Sequence, residues 1–84
     1  MTRSELLRQI EGLLEVPRAE GALTGDEVCS DLEGWDSLAV LSFLSLLDRE
    51  LRVVVPPARV YACRRVNDLV ELVADRLTAS ATHP

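Results

Sequence analysis

Asp36-Ser37-Leu38-Ala39-Val40-Leu41-Ser42-Phe43-Leu44-Ser45-Leu46-Leu47-Asp48-Arg49-Glu50-Leu51 is the stretch on which the fold turns. Asp and Ser are both strong helix N-caps, because their side-chain oxygens accept from the free amides of a first turn. Beyond them, until Asp48, only Ser42 and Ser45 interrupt the apolar residues. The polar positions Ser42, Ser45, Arg49 and Arg52 recur at helical spacing but form a narrow stripe. A helix from Asp36-Ser37 to Leu51 is therefore expected at the centre of a bundle, contacted on most sides. It holds more apolar surface than one small core requires, so some of Leu38, Leu41 and Leu44 are expected to face outward, where a partner could cover them.

Upstream, Thr2-Arg3-Ser4-Glu5 fits a capping box with Thr2 as N-cap. Leu6, Leu7, Ile10, Leu13 and Leu14 follow at helical spacing, with Glu5, Arg8, Glu11 and Glu15 on the other face. Gly12 weakens this helix by ~1 kcal/mol relative to Ala, and Val16-Pro17 stops it, since proline disfavours helical geometry in the residue before it. The first helix is expected over Ser4–Glu15. From Arg18 to Trp35 the periodicity vanishes among Gly21, Thr24, Gly25, Asp26 and Gly34. Val28 and Leu32 are the apolar anchors expected to pack this long loop across the helices.

Downstream, Val53-Val54-Val55 has strand propensity but no second strand to pair with, and reads as an extended connector. Pro56-Pro57 suits the opening of a helix, giving a short third helix over Ala58–Ala62 with Val60 and Cys63 inward. Val66, Leu69, Val70, Val73 and Leu77 form the stripe of a last helix, for which Asn67 is the best local cap. Residues 79–84 read as a frayed tail. The sum is an all-α four-helix bundle: three longer helices, a short third one and a long loop between the first two. Residues 1–84 form a single domain with its core at about 4–78.

Composition agrees. The chain has 84 residues, 48% of them hydrophobic, with one Trp, one Tyr and one Phe, so its single core is aliphatic. No apolar run approaches the ~20 residues of a membrane span, and the N-terminus lacks an apolar signal core, so a cytoplasmic protein is expected. A net charge of −5 argues against nucleic acid. Residues 1–50 carry eleven acids against four arginines, residues 51–84 three acids against five arginines. The acidic body fits either a basic partner or a solvated face. Cys29 and Cys63 match no metal spacing and no disulfide framework; reduced, half-buried thiols are expected. His83, the only histidine, sits in the tail.

No enzymatic constellation emerges. Asp36 and Ser37 are adjacent and cannot orient a histidine between them, no nucleophile elbow surrounds Ser37, and no phosphate loop, calcium loop or paired-carboxylate site is present. What remains is Gly34-Trp35-Asp36-Ser37-Leu38, a serine at the opening of the central helix after a long loop. Taken alone, Ser37 is a plain N-cap. Taken with its setting, from about Leu6 to Leu77, the chain resembles the acyl carrier protein family. In that family an Asp-Ser-Leu serine at the start of the second helix carries 4′-phosphopantetheine. The amphipathic first helix, the long loop with Leu32 before the motif and the apolar second helix all fit. So do Asp48-Arg49-Glu50-Leu51, the extended Val55-Pro56, the short third helix and the Val66-to-Val70 start of the fourth.

The resemblance implies that Ser37 is esterified by a phosphopantetheinyl transferase using coenzyme A and Mg²⁺. Asp36 would help hold metal and cofactor during that step, with Leu38 beside it. The protein would have no catalytic residue and no resident metal; the arm's thiol would hold an acyl or aminoacyl thioester. Fatty-acid carriers have an acid-rich second helix, whereas here acids return only at Asp48 and Glu50, and Arg59, Arg64 and Arg65 follow. The expected partner surface is therefore Leu38, Leu41, Ser45, Asp48, Arg49, Arg59, Arg64 and Arg65. It would be read by a ketosynthase, an acyltransferase or an adenylating enzyme of a polyketide or other specialised pathway, with the carrier acting as a monomer. The alternatives are a stand-alone peptidyl carrier and a small helical interaction module that never receives the arm.

Overall fold

Thr2 and Glu5 close the first helix as their spacing dictates. The Glu5 amide donates to Thr2 Oγ1 at 3.1 Å and the Thr2 amide to Glu5 Oε1 at 2.8 Å. The computed structural model describes residues 1–14 and 21–78. Within it α1 spans Arg3–Leu14 and buries Leu6, Leu7, Ile10 and Leu14. The expected end of this helix at Glu15, the Val16-Pro17 stop, the start of the loop at Arg18 and the tail with His83 lie outside the described residues.

The central helix α2 spans Ser37–Leu46 and runs on through one wider π-type turn, Leu47–Leu51. Arg52, at φ 56°, reverses the chain in the left-handed region, and the Val53 amide folds back onto the Leu47 carbonyl at 3.2 Å. A non-glycine residue there is uncommon. Among the described residues Val53–Val55 pairs with no other strand and is an extended connector, with Val55 buried and Val54 exposed. Helix α3 spans Pro57–Tyr61 with proline in its first turn, where a missing amide costs no hydrogen bond. Its one buried residue is Val60; Cys63 is half-buried, with its thiol on the Arg59 carbonyl at 3.3 Å.

Helix α4 spans Val66–Glu71. Its apolar stripe outlasts regular α geometry and continues through a 3₁₀ turn, Ala74–Arg76, that keeps Val73 fully buried. Arg65, not Asn67, occupies the cap position. Asp68, three residues on, accepts the amides of Arg64 and Arg65 at 3.0 Å each, which is the back half of a capping box. Asn67 is instead a tertiary link: its amide donates to the Gly25 carbonyl at 2.7 Å and its side-chain oxygen accepts from Arg3.

The four helices share one core. α1 packs on α2 and α4, and α3 packs on α2. Phe43, Leu6, Ile10, Leu47, Leu69, Val60, Val66 and Val73 are its fully buried large side chains. Among the described residues there is no strand, only two isolated bridges, Thr2 with Thr78 and Val28 with Arg65. The first loop is packed as expected, with a different set of anchors: Leu23, Cys29 and Leu32 are buried, while Val28 is half-buried and pairs with Arg65. No helix is long and apolar enough to cross a membrane among the described residues.

Candidate functional site

The loop that delivers the chain to α2 is tied down before it gets there. Val66 donates to the Glu27 carbonyl at 2.9 Å and Cys29 to the Arg64 carbonyl at 2.7 Å, so the loop forms a short antiparallel contact with the α3–α4 turn. Arg65 Nη1 donates to the Asp26 carbonyl at 2.8 Å, and Arg3 Nη2 to the Thr24 carbonyl at 3.1 Å. Glu27 accepts the Thr24 amide and the Gly25 amide, both at 2.8 Å. Desolvation pushes the Glu27 carboxyl up, but these hydrogen bonds outweigh it and hold the group below its ordinary value.

After the 3₁₀ turn Cys29–Asp31, the chain makes a tight turn at Gly34 with φ 93°. Two things require glycine there. The positive φ disfavours any L side chain, and a Cβ would collide with the backbone carbonyl of Leu14 at the end of α1. Trp35 then packs edge-on against Phe43, with ring centroids 5.9 Å apart and planes at 68°. Such a pair contributes ~0.5–1.5 kcal/mol beyond burial. Loop, α1 and α2 are thus locked together one residue before the Asp36-Ser37 pair.

At the helix start the two candidate caps separate. Asp36 takes the N-cap position, its Oδ1 accepting the Ala39 amide at 2.9 Å and its carbonyl the Val40 amide at 2.9 Å. Ser37 is the first helical residue and is exposed. Its hydroxyl makes no hydrogen bond among the described residues. Ser37 is therefore not the cap, and its oxygen is left free at the positive end of a ten-residue helix. A phosphodiester there would be favoured by ~0.3–1 kcal/mol, against a modest like-charge repulsion from Asp36. The residues present fit a covalently anchored phosphate: a free nucleophilic oxygen, solvent access and a helix dipole aimed at the anion.

Around Ser37, α2 shows an exposed stripe different from the serine stripe expected. Leu38 is 70% exposed and Leu41 58%, with Ser45 exposed one turn further, whereas Ser42 and Leu44 are half-buried. The opposite face, with Ala39, Val40, Phe43 and Leu46, is buried. Burying a leucine side chain contributes ~1.5–3 kcal/mol; these two leucines forgo it and leave an apolar strip in water beside Ser37.

The remaining expected surface residues are dispersed. Asp48 and Arg49 are exposed on the π turn, where Arg49 pairs with Glu50 at 3.2 Å. Arg59 lies on exposed α3, in a recess it shares with Asp68 and Glu71. Arg64 is exposed at the α3–α4 turn, and Arg65 is committed to the loop clamp rather than free for a partner. Both cysteines are free thiols, and Cys29, expected half-buried, is buried. Burial, with smaller contributions from Cys63 and Asp68, pushes the Cys29 thiol up to about 11.

The sequence reading passed over Gly34 and Trp35 as positioning residues and Asp68 as the cap of α4. Only for Asp68 was a local signal present, an acid three residues after the last extended position. The collision at Gly34 involves Leu14, twenty positions away, and has no local signature.

A comparison with curated proteins and with solved structures gives no match. A family model described as "phosphopantetheine attachment site" matches residues 4–73, which takes in all four helices but for Arg3 and leaves out the 3₁₀ turn Ala74–Arg76. Members carry covalently attached 4′-phosphopantetheine and are carrier domains modified by a phosphopantetheinyl transferase, in general without catalysis of their own. The chain belongs to this phosphopantetheine attachment-site family: it is a carrier protein.

Proposed function

We propose that Ser37 is the attachment point and that the protein is an acyl carrier of a polyketide or other specialised pathway in the cytoplasm. The observation that carries this reading is the division of labour at the start of α2. Asp36 makes the cap, and the adjacent serine keeps a free, exposed hydroxyl. With coenzyme A as donor, the Ser37 oxygen would attack the phosphorus that bears the pantetheine arm and lose its proton to a base of the transferase. The pyrophosphate bond would break, adenosine 3′,5′-bisphosphate would leave, and the phosphodiester formed would stay at the helix N-terminus. The arm's thiol then holds the cargo as a thioester. The protein's contribution is a tether, which replaces free diffusion by a high local concentration at each partner's active site.

Partners would dock on Leu38, Leu41 and Ser45, with Asp48, Arg49, Arg59 and Arg64 at the rim. Leu38 and Leu41 lie one helical turn apart and supply the apolar centre that interface cores require. Incubation with a promiscuous transferase and coenzyme A, followed by peptide mass mapping, tests the attachment. One phosphopantetheine on the Ser37 peptide is the expected product, and an unmodified chain would leave only the helical-module reading. An adenylating enzyme that loads an amino acid onto the arm would instead identify a peptidyl carrier.

A further inference from the structure

A groove of about 360 Å³ lies between the first loop and the α3–α4 turn, lined by Val28, Ser30, Cys63, Arg64 and Arg65. Its walls are fixed to each other by the Cys29–Arg64 and Val66–Glu27 backbone hydrogen bonds, so it is preformed. Val28 and half-buried Cys63 supply an apolar lining. Ser30 offers an exposed hydroxyl, and the guanidinium of Arg64 makes no hydrogen bond or ion pair among the described residues. Arg65 is held by the Asp26 carbonyl, and Asp68 has spent one carboxylate oxygen on two amides. Residues 51–67 contain four arginines and no acid, in a chain whose net charge is −5.

We propose that this groove receives the far end of the tethered cargo and selects an acyl group that ends in a carboxylate, held by Arg64 and Ser30. The inference rests on attachment at Ser37. Ser30 precedes Ser37 by seven positions, which span at most ~25 Å when extended and less here, where the loop turns twice. The 3₁₀ turn at Cys29–Asp31 and the turn at Gly34 shorten that path, and a phosphopantetheine arm of ~20 Å, as long as five or six extended residues, is of the same order. A guanidinium with unused donors matches a carboxylate in charge and in fork geometry. A neutral alkyl chain would leave it unpaired.

The test loads Ser37 from malonyl-coenzyme A and, separately, from the near-isosteric butyryl-coenzyme A, and compares backbone amide spectra. The malonyl form is expected to shift the amides of Val28, Ser30, Cys63, Arg64 and Arg65 relative to the butyryl form. The shifts should vanish in Arg64→Gln and shrink in Ser30→Ala, whose parent side chains make no hydrogen bond among the described residues. They should also fade at high salt, as expected of a partly exposed ion pair. Identical spectra for the two cargos, or malonyl shifts that survive Arg64→Gln, would overturn the groove and leave the attachment intact. Failure of both cargos to add mass would overturn attachment and groove together.

Discussion

The amino-terminal ends of α2 and α4 start from similar material and reach opposite outcomes. Each has an aspartate in or near the cap and polar residues around it. At α4, Asp68 binds two amides, Arg65 clamps Asp26, and Asn67 links Gly25 and Arg3. Apart from the Arg64 guanidinium, the polar groups there are spent on capping the helix or on holding the first loop. At α2, one aspartate oxygen does the capping, and the next residue, Ser37, is left with a free hydroxyl and two exposed leucines for company. One helix end is built to be closed and the other to be open. The closed end, through the loop, fixes the open one in place.

The largest effect should come from breaking the turn between them. Gly34→Ala places a side chain at φ 93° against the Leu14 carbonyl. The conformational strain alone costs roughly 1–2 kcal/mol, and the collision adds to it. Urea denaturation should show a loss of at least about 2 kcal/mol, a large part of the ~5–15 kcal/mol that holds a small domain together. A loss under 1 kcal/mol would mean that the loop does not depend on this turn.

Removing the cap at the open end should cost less. Asp36→Ala forfeits the hydrogen bond to Ala39 and should lower stability by ~0.5–2 kcal/mol, while Asp36→Asn, which keeps an accepting oxygen, should recover most of it. Thermal melts of the two variants check this; equal losses would remove the capping role.

Acid should loosen the closed end first. Hydrogen bonds from Arg65 and Arg64 lower the Asp68 pKa, and hydrogen bonds to Glu27, outweighing its desolvation, lower that one too. A carboxylate with a depressed folded-state pKa stabilises the fold above its unfolded value and loses that contribution as pH falls through the folded one. Stability should therefore hold down to about the ordinary carboxylate values of 3.8 and 4.5 and decline below them. Amide exchange should speed up earlier at Gly25, Arg64 and Arg65 than at Ala39 if the closed end is the acid-sensitive one; uniform acceleration would contradict that.

Much of this architecture was legible in the chain because its signals are local. The Thr2-to-Glu5 box, the leucine stripe of α1, the proline at the head of α3 and the stripe of α4 each lie within a turn or two of sequence. So does the excess of leucine on α2, which pointed to some of Leu38, Leu41 and Leu44 being left in water; Leu38 and Leu41 are, and Leu44 is half-buried. What escaped is what depends on distant partners. Nothing near Gly34 reveals Leu14, and nothing near Asn67 reveals Arg3 and Gly25, so a good cap residue became a tertiary link. The choice between Asp36 and Ser37 as cap was undecidable from composition, since both side chains cap well. It fell to the residue whose oxygen reaches the Ala39 amide from an extended backbone, at φ −125°.

The central claim is that Ser37 serves chemistry and not the fold, and Ser37→Ala tests it directly when stability and loading are measured on the same sample. The variant should melt within about 0.5 kcal/mol of the parent, as surface substitutions do, and should gain no mass when treated with a transferase and coenzyme A that fully convert the parent. A variant that unfolds, or one that still acquires the arm, would contradict it.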